Sequence, residues 1–581
     1  MIFKANLKIL ESTRAMLKFF PRTFLWFAAL WLIHPPPVLQ AECHDADLIL
    51  RNGKIITMDA TRSIVTALAV RNRQILAAGN DSEIAACSSP RTEIIDLHGQ
   101  TVLPGLIDVH THALNWAEGL LRNDIDPGYP KVHSIPEILK QIGERSASYP
   151  AGRWILGAGW DESKLSEHRY ITRKDLDAVS PNNPVWLEHF TGHLGVANSL
   201  ALKLGQVSRD TATPSGGVID KDDSGEPTGI LKDNAQGLVQ SVLPPDPPDL
   251  ALPATRVVSE KALEAGLTTI HDICLLAAGI RAYQDAHKNG WLKLRVQMAP
   301  LVSNLQDAEA LAKGGIYSGF GDDGLKFGAV KMFADGGMGA KTIAVYEPAE
   351  GEPGNLGLLI WPPADMQRAH HILARAGWQL ETHAIGDRAM DEVLDSYQAV
   401  IKDLDLKEPR FRIVHAGFAT PPVQKRLREL HVLVDSNPAF VYWIGAYFSK
   451  YGPQRVRWAY PAKSYFDNGI IAAGTSDVPV TPISPWWGIW AAVERREFHT
   501  GQVLAPEERI TVLQALEMYT RNPAYIGFEE NQKGSLEPGK LADFIIVDRD
   551  VLSVPSAQLK DVEVLKTFVG GELAYAKPAA H

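Results

Sequence analysis

Between residues 106 and 477 the chain alternates short apolar runs with segments of helical periodicity, and this alternation constrains the fold more than any other feature. Strands that alternate with helices form a parallel sheet, because each helix returns the chain to the same edge. Eight such units predict an α/β fold of the closed (β/α)8 TIM-barrel type. The candidate strands are LIDVHTH (106–112), LTTIHDI (267–273), KLRVQMA (293–299), FGAVKMFA (327–334), QLETHA (379–384), FRIVHA (411–416), VLVDS (432–436) and IIAAGTSD (470–477).

The sequence patterns near both ends of the chain indicate antiparallel β-structure instead. In residues 46–103, apolar runs are punctuated by the turn signals NG, RN and GN, and similar runs return in GSLEPGKLADFIIVDRD and VLKTFVGGELAY. We predict that residues 42–104 and 530–581 together build a β-sandwich domain, with a barrel domain over 105–529 between them.

The first barrel crossover, residues 113–266, is much longer than a single helix requires, so it is an insertion. Its segment PSGGVIDKDDSGEPTG is rich in turn residues and predicts a hairpin. Because loops at the C-terminal face of a barrel build its active site, we expect this insertion to roof the pocket.

The first 41 residues resemble an export signal. Basic residues precede a mostly apolar stretch over 24–33, and Ala41 offers a small residue at a cleavage point. The apolar run is shorter than the roughly 20 residues that a spanning helix needs. We therefore predict a signal peptide over 1–41, a periplasmic or secreted protein, and no stable membrane span after cleavage. An uncleaved interfacial or membrane anchor is the alternative.

Charge and cysteine content limit the possible partners and covalent links. The net charge is -10 and no basic block is present, which argues against a nucleic-acid partner. After export, Cys43 and Cys87 could pair in an oxidising compartment. The alternative is that all three cysteines are unpaired. Cys274 is predicted to be a buried free thiol.

Five residues near the ends of predicted strands have side chains suited to binding a metal. His110 and His112 are two apart on an extended strand, so both point to the same side. His383, His415 and Asp477 end three other strands, and the C-terminal ends of barrel strands meet at one face. Imidazoles and carboxylates bind divalent transition metals, with zinc the default for a histidine-rich set. The alternatives are core histidines bonded to carbonyl groups, and a helix cap for Asp477.

Lys331 ends the fourth predicted strand and is a sixth candidate. An ammonium group cannot bind a cation, but carbamylation by CO₂ would convert Lys331 into a carboxylate-like bridge between two metals. The alternative is an ion pair between Lys331 and Asp335 or another acid. We therefore expect one or two divalent metals per chain.

The segments around these residues resemble the amidohydrolase superfamily, and within it amidohydrolase family 3, which includes N-substituted formamide deformylases. The resemblance extends from about residue 46 to 575 and implies the barrel, the β-sandwich and the metal site. The segment DGGMGAKT departs from the pattern, since related sequences commonly have Ser after the first Gly and Arg before the Thr. The matching segments are LPGLIDVHTH, GAGWDESK, THAIGDRAMD, VHAGF, GTSDVPV, GSLEPGKLADFIIVD, DLDAVSPNNPVWL, GHLGVANSLAL and GEPTGILKDNA. The ligands implied are His110, His112, His383, His415 and Asp477, with Lys331 the candidate carbamylated bridge.

These features predict a hydrolase that cleaves a non-peptide C–N bond of a small amide-like molecule, such as an N-substituted formamide. Metal-activated water would attack the carbonyl carbon, Asp477 would move the proton, and His415 or His193 would help to stabilise the oxyanion. Hydrolysis of an ester, carbamate or lactone at the same site is one alternative. A non-catalytic exported metal-binding protein is another.

The surroundings of the site also give predictions. Trp160, Asp161 and His193 of the insertion are candidate pocket residues, with packing or capping as the alternative. Asp387, with Arg388, is predicted to orient His383. Aromatic residues after the last two strands favour an apolar or aromatic substrate, with helix packing as the alternative. These aromatic residues are Tyr442, Trp443, Tyr447, Phe448, Trp486, Trp487 and Trp490.

Overall fold

The computed structural model describes residues 43–247 and 249–579, so the predicted signal peptide over 1–41 lies outside the described residues. No helix in these ranges is both long enough and apolar enough to cross a membrane. The strands are β1 Leu48–Arg51, β2 Lys54–Ile56, β3 Ile64–Val65, β4 Ala67–Arg71, β5 Gln74–Gly79, β6 Glu93–Asp96, β7 Thr101–Pro104, β8 Leu106–Thr111, β9 Ile155–Trp160, β10 Val185–His189, β11 Leu194–Ala197, β12 Gly217–Lys221, β13 Pro227–Asp233, β14 Leu267–Leu275, β15 Arg295–Pro300, β16 Leu325–Phe327, β17 Val330–Phe333, β18 Leu380–Ala384, β19 Arg412–His415, β20 Leu433–Ser436, β21 Ala472–Gly474, β22 Phe544–Val547, β23 Val564–Val569 and β24 Glu572–Ala576. The α-helices are α1 Asp81–Ala85, α2 Ala113–Arg122, α3 Ile135–Ser148, α4 Arg173–Val179, α5 Ser199–Leu204, α6 Gly237–Gln240, α7 Ala251–Glu264, α8 Ala277–Lys288, α9 Leu305–Lys313, α10 Pro363–Arg375, α11 Asp387–Asp403, α12 Pro421–Glu429, α13 Pro438–Trp443, α14 Gly445–Ser449, α15 Pro453–Val456, α16 Ala462–Asp467, α17 Pro485–Glu494, α18 Val512–Met518 and α19 Arg521–Ile526.

The apolar runs in the middle of the chain form two parallel sheets, and a strand overlaps each of the eight predicted ranges. One sheet has the order β16-β15-β14-β8 and the other the order β17-β18-β19-β20-β21. A hydrogen bond of 3.0 Å from Val302 N to Lys331 O links the segment after β15 to β17. A second, of 3.1 Å from Asp477 N to His110 O, links the segment after β21 to β8. The C-terminal ends of the parallel strands are therefore close in space.

The fourth and eighth predicted strands are shorter than expected. Gly328 and Ala329 separate β16 from β17, although Gly328 N still donates to Met298 O of β15 at 2.8 Å. The eighth run is a strand only over β21, and Asp477 has a φ of 54°. That left-handed conformation cannot continue a strand. It lets the chain turn so that the Asp477 carboxylate reaches His110 and His112.

Strands from both ends of the chain pair in one sheet, of order β24-β23-β22-β7-β2-β3. The pairing of β22 with β7 is antiparallel and places Phe544 opposite Pro104. A second sheet, β5-β4-β1-β6, shares an apolar core with the first. Near it, Cys43 is bonded to Cys87 in a disulfide. The two ends of the chain are thus held together by backbone pairing and by a common core.

The insertion after β8 folds around its own five-stranded sheet, β12-β13-β11-β10-β9. The predicted hairpin is confirmed as the antiparallel pair β12 and β13. Helix α3 shows why this region is stable: Ser134 caps its first turn, and its buried residues recur at helical spacing. These residues are Ile135, Ile138 and Ile142. The insertion therefore carries a core that is separate from that of the parallel sheets.

Candidate metal centre

Histidines from three parallel strands converge with Asp477 at one end of a cavity. The Oδ1 atom of Asp477 lies 3.4 Å from Nε2 of His110 and 3.3 Å from Nε2 of His112. The ring centroids of His383 and His415 are 4.6 Å apart, and those of His110 and His415 are 5.4 Å apart. His110, His415 and Asp477 each place one potential ligand atom within 4.8 Å of the others.

Strand register and the backbone at the strand ends explain this convergence. His110 is the second-last residue of β8, and His112 follows that strand as the N-cap residue of helix α2. In the parallel ladders, Phe333 of β17 is opposite His383 of β18, and Ala384 of β18 is opposite His415 of β19. Consecutive strands thus end close to the same level. His383 itself is opposite Val414, and the left-handed backbone of His415, with a φ of 71°, turns the ring of His415 into the same space as that of His383.

Hydrogen bonds on the far side of three rings identify the nitrogen that faces the cavity. Nδ1 of His110 is 2.9 Å from Oε1 of Glu381, and Nδ1 of His415 is 2.8 Å from Oδ1 of Asn437. Nε2 of His383 is 3.1 Å from the carbonyl oxygen of Gly336. Because an acceptor holds the proton on the bonded nitrogen, Nε2 of His110 and His415 and Nδ1 of His383 carry the lone pairs, and that of His110 lies 3.3 Å from Nζ of Lys331.

The residue beside His383 is Asp335, and the prediction that Asp387 with Arg388 orients His383 is wrong. Asp387 is the first residue of helix α11, where its negative charge stabilises the helix N-terminus. Its Oδ1 accepts a hydrogen bond from the backbone N–H of Arg388 at 3.0 Å. Oδ1 of Asp335 lies 3.3 Å from Nε2 of His383. Burial raises the pKa of Asp335 to about 7, although three backbone N–H groups that donate to its carboxylate oppose the rise.

Behind His110 lies a fully buried charge network that the sequence analysis did not identify. Oε2 of Glu381 is 3.1 Å from Nη2 of Arg412, which is also 2.6 Å from Oδ2 of Asp435. Burial raises the pKa of Asp435 to about 7, with Arg412 opposing the rise and Glu381 adding to it. The sequence did carry a signal for this network, since all three charged residues stand inside apolar strand runs. Their role is to hold the His110 ring through Glu381.

Lys331 also points into the metal centre. Its Nζ atom lies 3.3 Å from Nε2 of His110 and 4.5 Å from the centre of the Phe333 ring. Burial lowers the pKa of Lys331. No carboxylate oxygen of the described residues lies within 4.0 Å of the ammonium, so the alternative of an ion pair with Asp335 is not observed. Asp335 is instead occupied by backbone donors.

Cys274 is a neighbour of the site that was not predicted as such. It lies in β14 with a φ of 60° and is a free thiol, as predicted, but it is partly exposed instead of buried. Its side chain interacts with the ring of His112. Burial acts to lower the pKa of His112, but the contributions of Cys274 and Asp477 outweigh it and raise that pKa to about 10.

The cavity has a volume of about 1000 Å³ and is lined both by strand ends and by the insertion. Two of the three predicted pocket residues line it, Asp161 and His193. Asp161 accepts a hydrogen bond of 3.0 Å from the hydroxyl group of Tyr447. Trp160 does not line the cavity; its ring is fully buried, and Nε1 donates to the carbonyl oxygen of Leu187 at 3.2 Å. As the last residue of β9, Trp160 packs into the core of the insertion, behind the wall.

Few of the predicted aromatic residues reach the cavity. Trp443 lines it, whereas Trp486 and Trp490 are buried on helix α17. Helix packing, the alternative reading, therefore accounts for those two tryptophans. The other aromatic rings in the wall come from residues that the sequence did not single out. They are Trp116, Tyr129, Phe190 and Phe333.

The residues of this centre fit a divalent cation. Oδ1 of Asp477 is buried without a hydrogen-bond partner among the described residues, which is costly for a carboxylate oxygen unless a cation or a proton satisfies it. Nε2 of His110 and Nε2 of His112 lie 3.4 and 3.3 Å from it, and imidazole nitrogen with carboxylate oxygen is a typical donor set for zinc and related metals.

Comparison with known proteins places this geometry in context. Residues 93–575 match the amidohydrolase family. YtcJ of Bacillus subtilis is 31% identical over 542 residues, covering 91% of this chain and 99% of YtcJ. An N-substituted formamide deformylase of Arthrobacter pascens is 29% identical over 540 residues, covering 91% of this chain and 98% of that protein. The crystal structure of a metal-dependent hydrolase from Pyrococcus horikoshii superposes with a TM-score of 0.68 at 27% identity, covering 88% of this chain and 99% of that one.

Proposed function

The chain belongs to the amidohydrolase family and is a hydrolase of carbon–nitrogen bonds, and from this premise we propose that it cleaves the amide-like bond of a small molecule of the N-substituted formamide type. The observation that carries the proposal is the buried Oδ1 of Asp477, which has no hydrogen-bond partner among the described residues and lies 3.4 and 3.3 Å from Nε2 of His110 and Nε2 of His112 at the end of a cavity. The formamide deformylase relative supports the substrate class.

The same premise supports a closed (β/α)8 barrel and a terminal β-sandwich. The hydrogen bond from Val302 N to Lys331 O links the segment after β15 to β17, and the one from Asp477 N to His110 O links the segment after β21 to β8, so the two parallel sheets are connected on both sides. The two sheets at the chain ends pack on one core. We infer that the metal centre lies at the C-terminal face of this barrel, where active sites of the fold are found.

The candidate ligands each have a defined role in this proposal. His110, His112, His383, His415 and Asp477 would hold one or two divalent metals, with Zn²⁺ the first choice. A metal bound there would polarise the substrate carbonyl and lower the pKa of water. Asp477 accepts the proton of the attacking water and returns it to the leaving nitrogen. His415 presents Nε2 to the same space, next to the developing oxyanion.

We further propose that Lys331 is carbamylated, in which form it would supply carboxylate-like oxygens to hold two metals. Among the described residues the fully buried Nζ has no carboxylate partner, and it points at His110, so an unmodified ammonium would repel a cation there. We expect two metals per chain after purification with bicarbonate and fewer without it. Lys331→Ala should lose activity in both preparations, and short carboxylic acids should restore part of it. Elemental analysis and activity assays check this, and a single metal that is indifferent to bicarbonate would contradict it.

The proposed function is tested by a screen of amides and esters against metal-loaded protein. We expect hydrolysis of N-substituted formamides, loss of that activity with a chelator, and recovery when metal is restored. His110→Ala should lose metal and activity but keep its fold, as seen by circular dichroism. Esters or lactones hydrolysed in preference to every amide would favour the alternative substrates. Metal binding without any hydrolysis would favour a non-catalytic protein.

Export also remains a proposal. The basic and apolar pattern of residues 1–41 supports it, and so does the disulfide between Cys43 and Cys87, because disulfides persist in oxidising compartments.

A further inference from the structure

One wall of the cavity contains a histidine whose orientation is fixed by a buried aspartate. His193 precedes β11 and Asp233 ends β13, and these strands pair antiparallel with Leu194 opposite Lys232. The pairing continues by one step, since Asp233 N donates to the carbonyl oxygen of His193 at 2.9 Å. The backbone of the insertion therefore holds the two side chains next to each other.

The side chains form a specific hydrogen bond. Nδ1 of His193 is 2.8 Å from Oδ1 of Asp233, whose side chain is fully buried. An ionised carboxylate can only accept, so Nδ1 carries the proton. In the neutral ring, Nε2 then has a lone pair and no hydrogen. No hydrogen bond from the described residues reaches Nε2, and the ring lines the cavity with 14% of its surface exposed. Nε2 is therefore an acceptor presented to whatever fills the cavity.

The loop after β17 leaves room for this pair. A Cβ atom on Gly337 would lie 2.7 Å from Cδ2 of His193, and one on Gly336 would lie 2.7 Å from Oδ2 of Asp233. Any larger residue at these positions would displace the pair. With this loop packed against the pair, the ring centroids of His193 and His383 are 5.1 Å apart. The acceptor thus lies beside the metal centre, on the side of the insertion.

We propose that Nε2 of His193 accepts a hydrogen bond from the N–H group of the substrate amide, and that Asp233 is the positioning residue that fixes the orientation of the ring and the Nδ1–H tautomer. This inference rests on the proposed amide hydrolase function. It assigns the substrate class as secondary amides, which carry an N–H beside the scissile carbonyl. Tertiary amides, esters and lactones lack that group and gain nothing from His193.

Three substrates of similar shape test the assignment: N-benzylformamide, N-benzyl-N-methylformamide and benzyl formate. Each is measured with wild type, His193→Ala and Asp233→Asn, so that intrinsic reactivity cancels within each substrate. We expect both variants to lower kcat/KM for the secondary amide by about tenfold, the value of one well-placed hydrogen bond, and to change it less than about threefold for the other two. Asp223→Asn, on the exposed β12–β13 turn, is the matched control and should leave all three values unchanged.

Each other pattern overturns the inference. Equal loss for the secondary and tertiary amides would make His193 a proton donor to the leaving nitrogen, and equal loss for all three would make it a donor to the carbonyl oxygen. If wild type does not turn over the tertiary amide, its inhibition constant takes the place of kcat/KM and should not change in His193→Ala. Absence of hydrolysis of every substrate by wild type would instead refute the proposed function. Thermal unfolding of both variants identifies any loss of fold, and His193→Ala decides the result if Asp233→Asn is unstable.

Discussion

Asp477→Asn is expected to lower kcat by about 10²–10⁴-fold, the contribution usual for a positioned general acid–base group. Asparagine keeps the shape of the side chain and an oxygen for the metal, but it cannot take up a proton. Asp477 is suited to the role because its Oδ1 lies 3.3 Å from Nε2 of His112 and has no hydrogen-bond partner in the described part of the chain. The measurement is kcat for an N-substituted formamide, with the metal content of the same sample determined in parallel.

The control for this variant is Asp405→Asn, since the Asp405 side chain is 84% exposed and Asp405 is not a candidate ligand or pocket residue. It should keep the wild-type rate. Asp477→Asn with full metal content could instead keep more than about a tenth of the wild-type kcat. That loss would be smaller than the roughly 100-fold minimum expected for a proton-transfer group, and the base would then be another residue.

Glu381→Gln is expected to weaken metal binding by about 10–100-fold, the usual cost of losing an outer partner of a ligating histidine. Gln has nearly the same volume, so packing is preserved, but Nδ1 of His110 loses its charged acceptor at 2.9 Å. Arg412 loses one of two buried carboxylates, which should also lower the free energy of unfolding by about 1–3 kcal/mol. Competition with a chelator measures the affinity, and urea unfolding of the metal-free protein measures the stability.

Glu429→Gln is the matched control, because the Glu429 side chain on helix α12 is 54% exposed and forms a weak i,i+4 ion pair with Lys425 at the surface. It should change neither quantity. Unchanged metal affinity in Glu381→Gln would mean that the ring of His110 is held by packing alone.

The parts of the site that could be predicted are those that depend on strand ends. Buried parallel strands have near-continuous apolar runs, so polar residues at their ends are conspicuous in the sequence. His110, His383 and His415 were found in this way, and the structure brings them together with Asp477. The lengths of the fourth and eighth strands were not predictable, because a glycine interruption and a left-handed residue depend on what the neighbouring strands offer.

The parts that could not be predicted depend on contacts between distant segments. The motif GWDES predicts Trp160 to be a pocket residue, yet its ring packs into the core of the insertion. The reason is that β9 pairs with β10 and the side chains of a strand alternate between its two faces. Asp233 has no feature in the sequence that links it to His193, which is 40 positions away. Only the antiparallel register of β11 and β13 brings them into contact.

By itself the sequence determined the alternation of strands and helices, the hairpin of the insertion and the candidate ligands, because these follow from periodicity and residue type along a local stretch. Only the tertiary structure decided which nitrogen of each ring faces the cavity, that Glu381 and Arg412 support His110, and that the insertion supplies His193 to the wall. Those features depend on hydrogen bonds between side chains tens to hundreds of residues apart. Their partners are selected by strand register and burial, which no local pattern encodes.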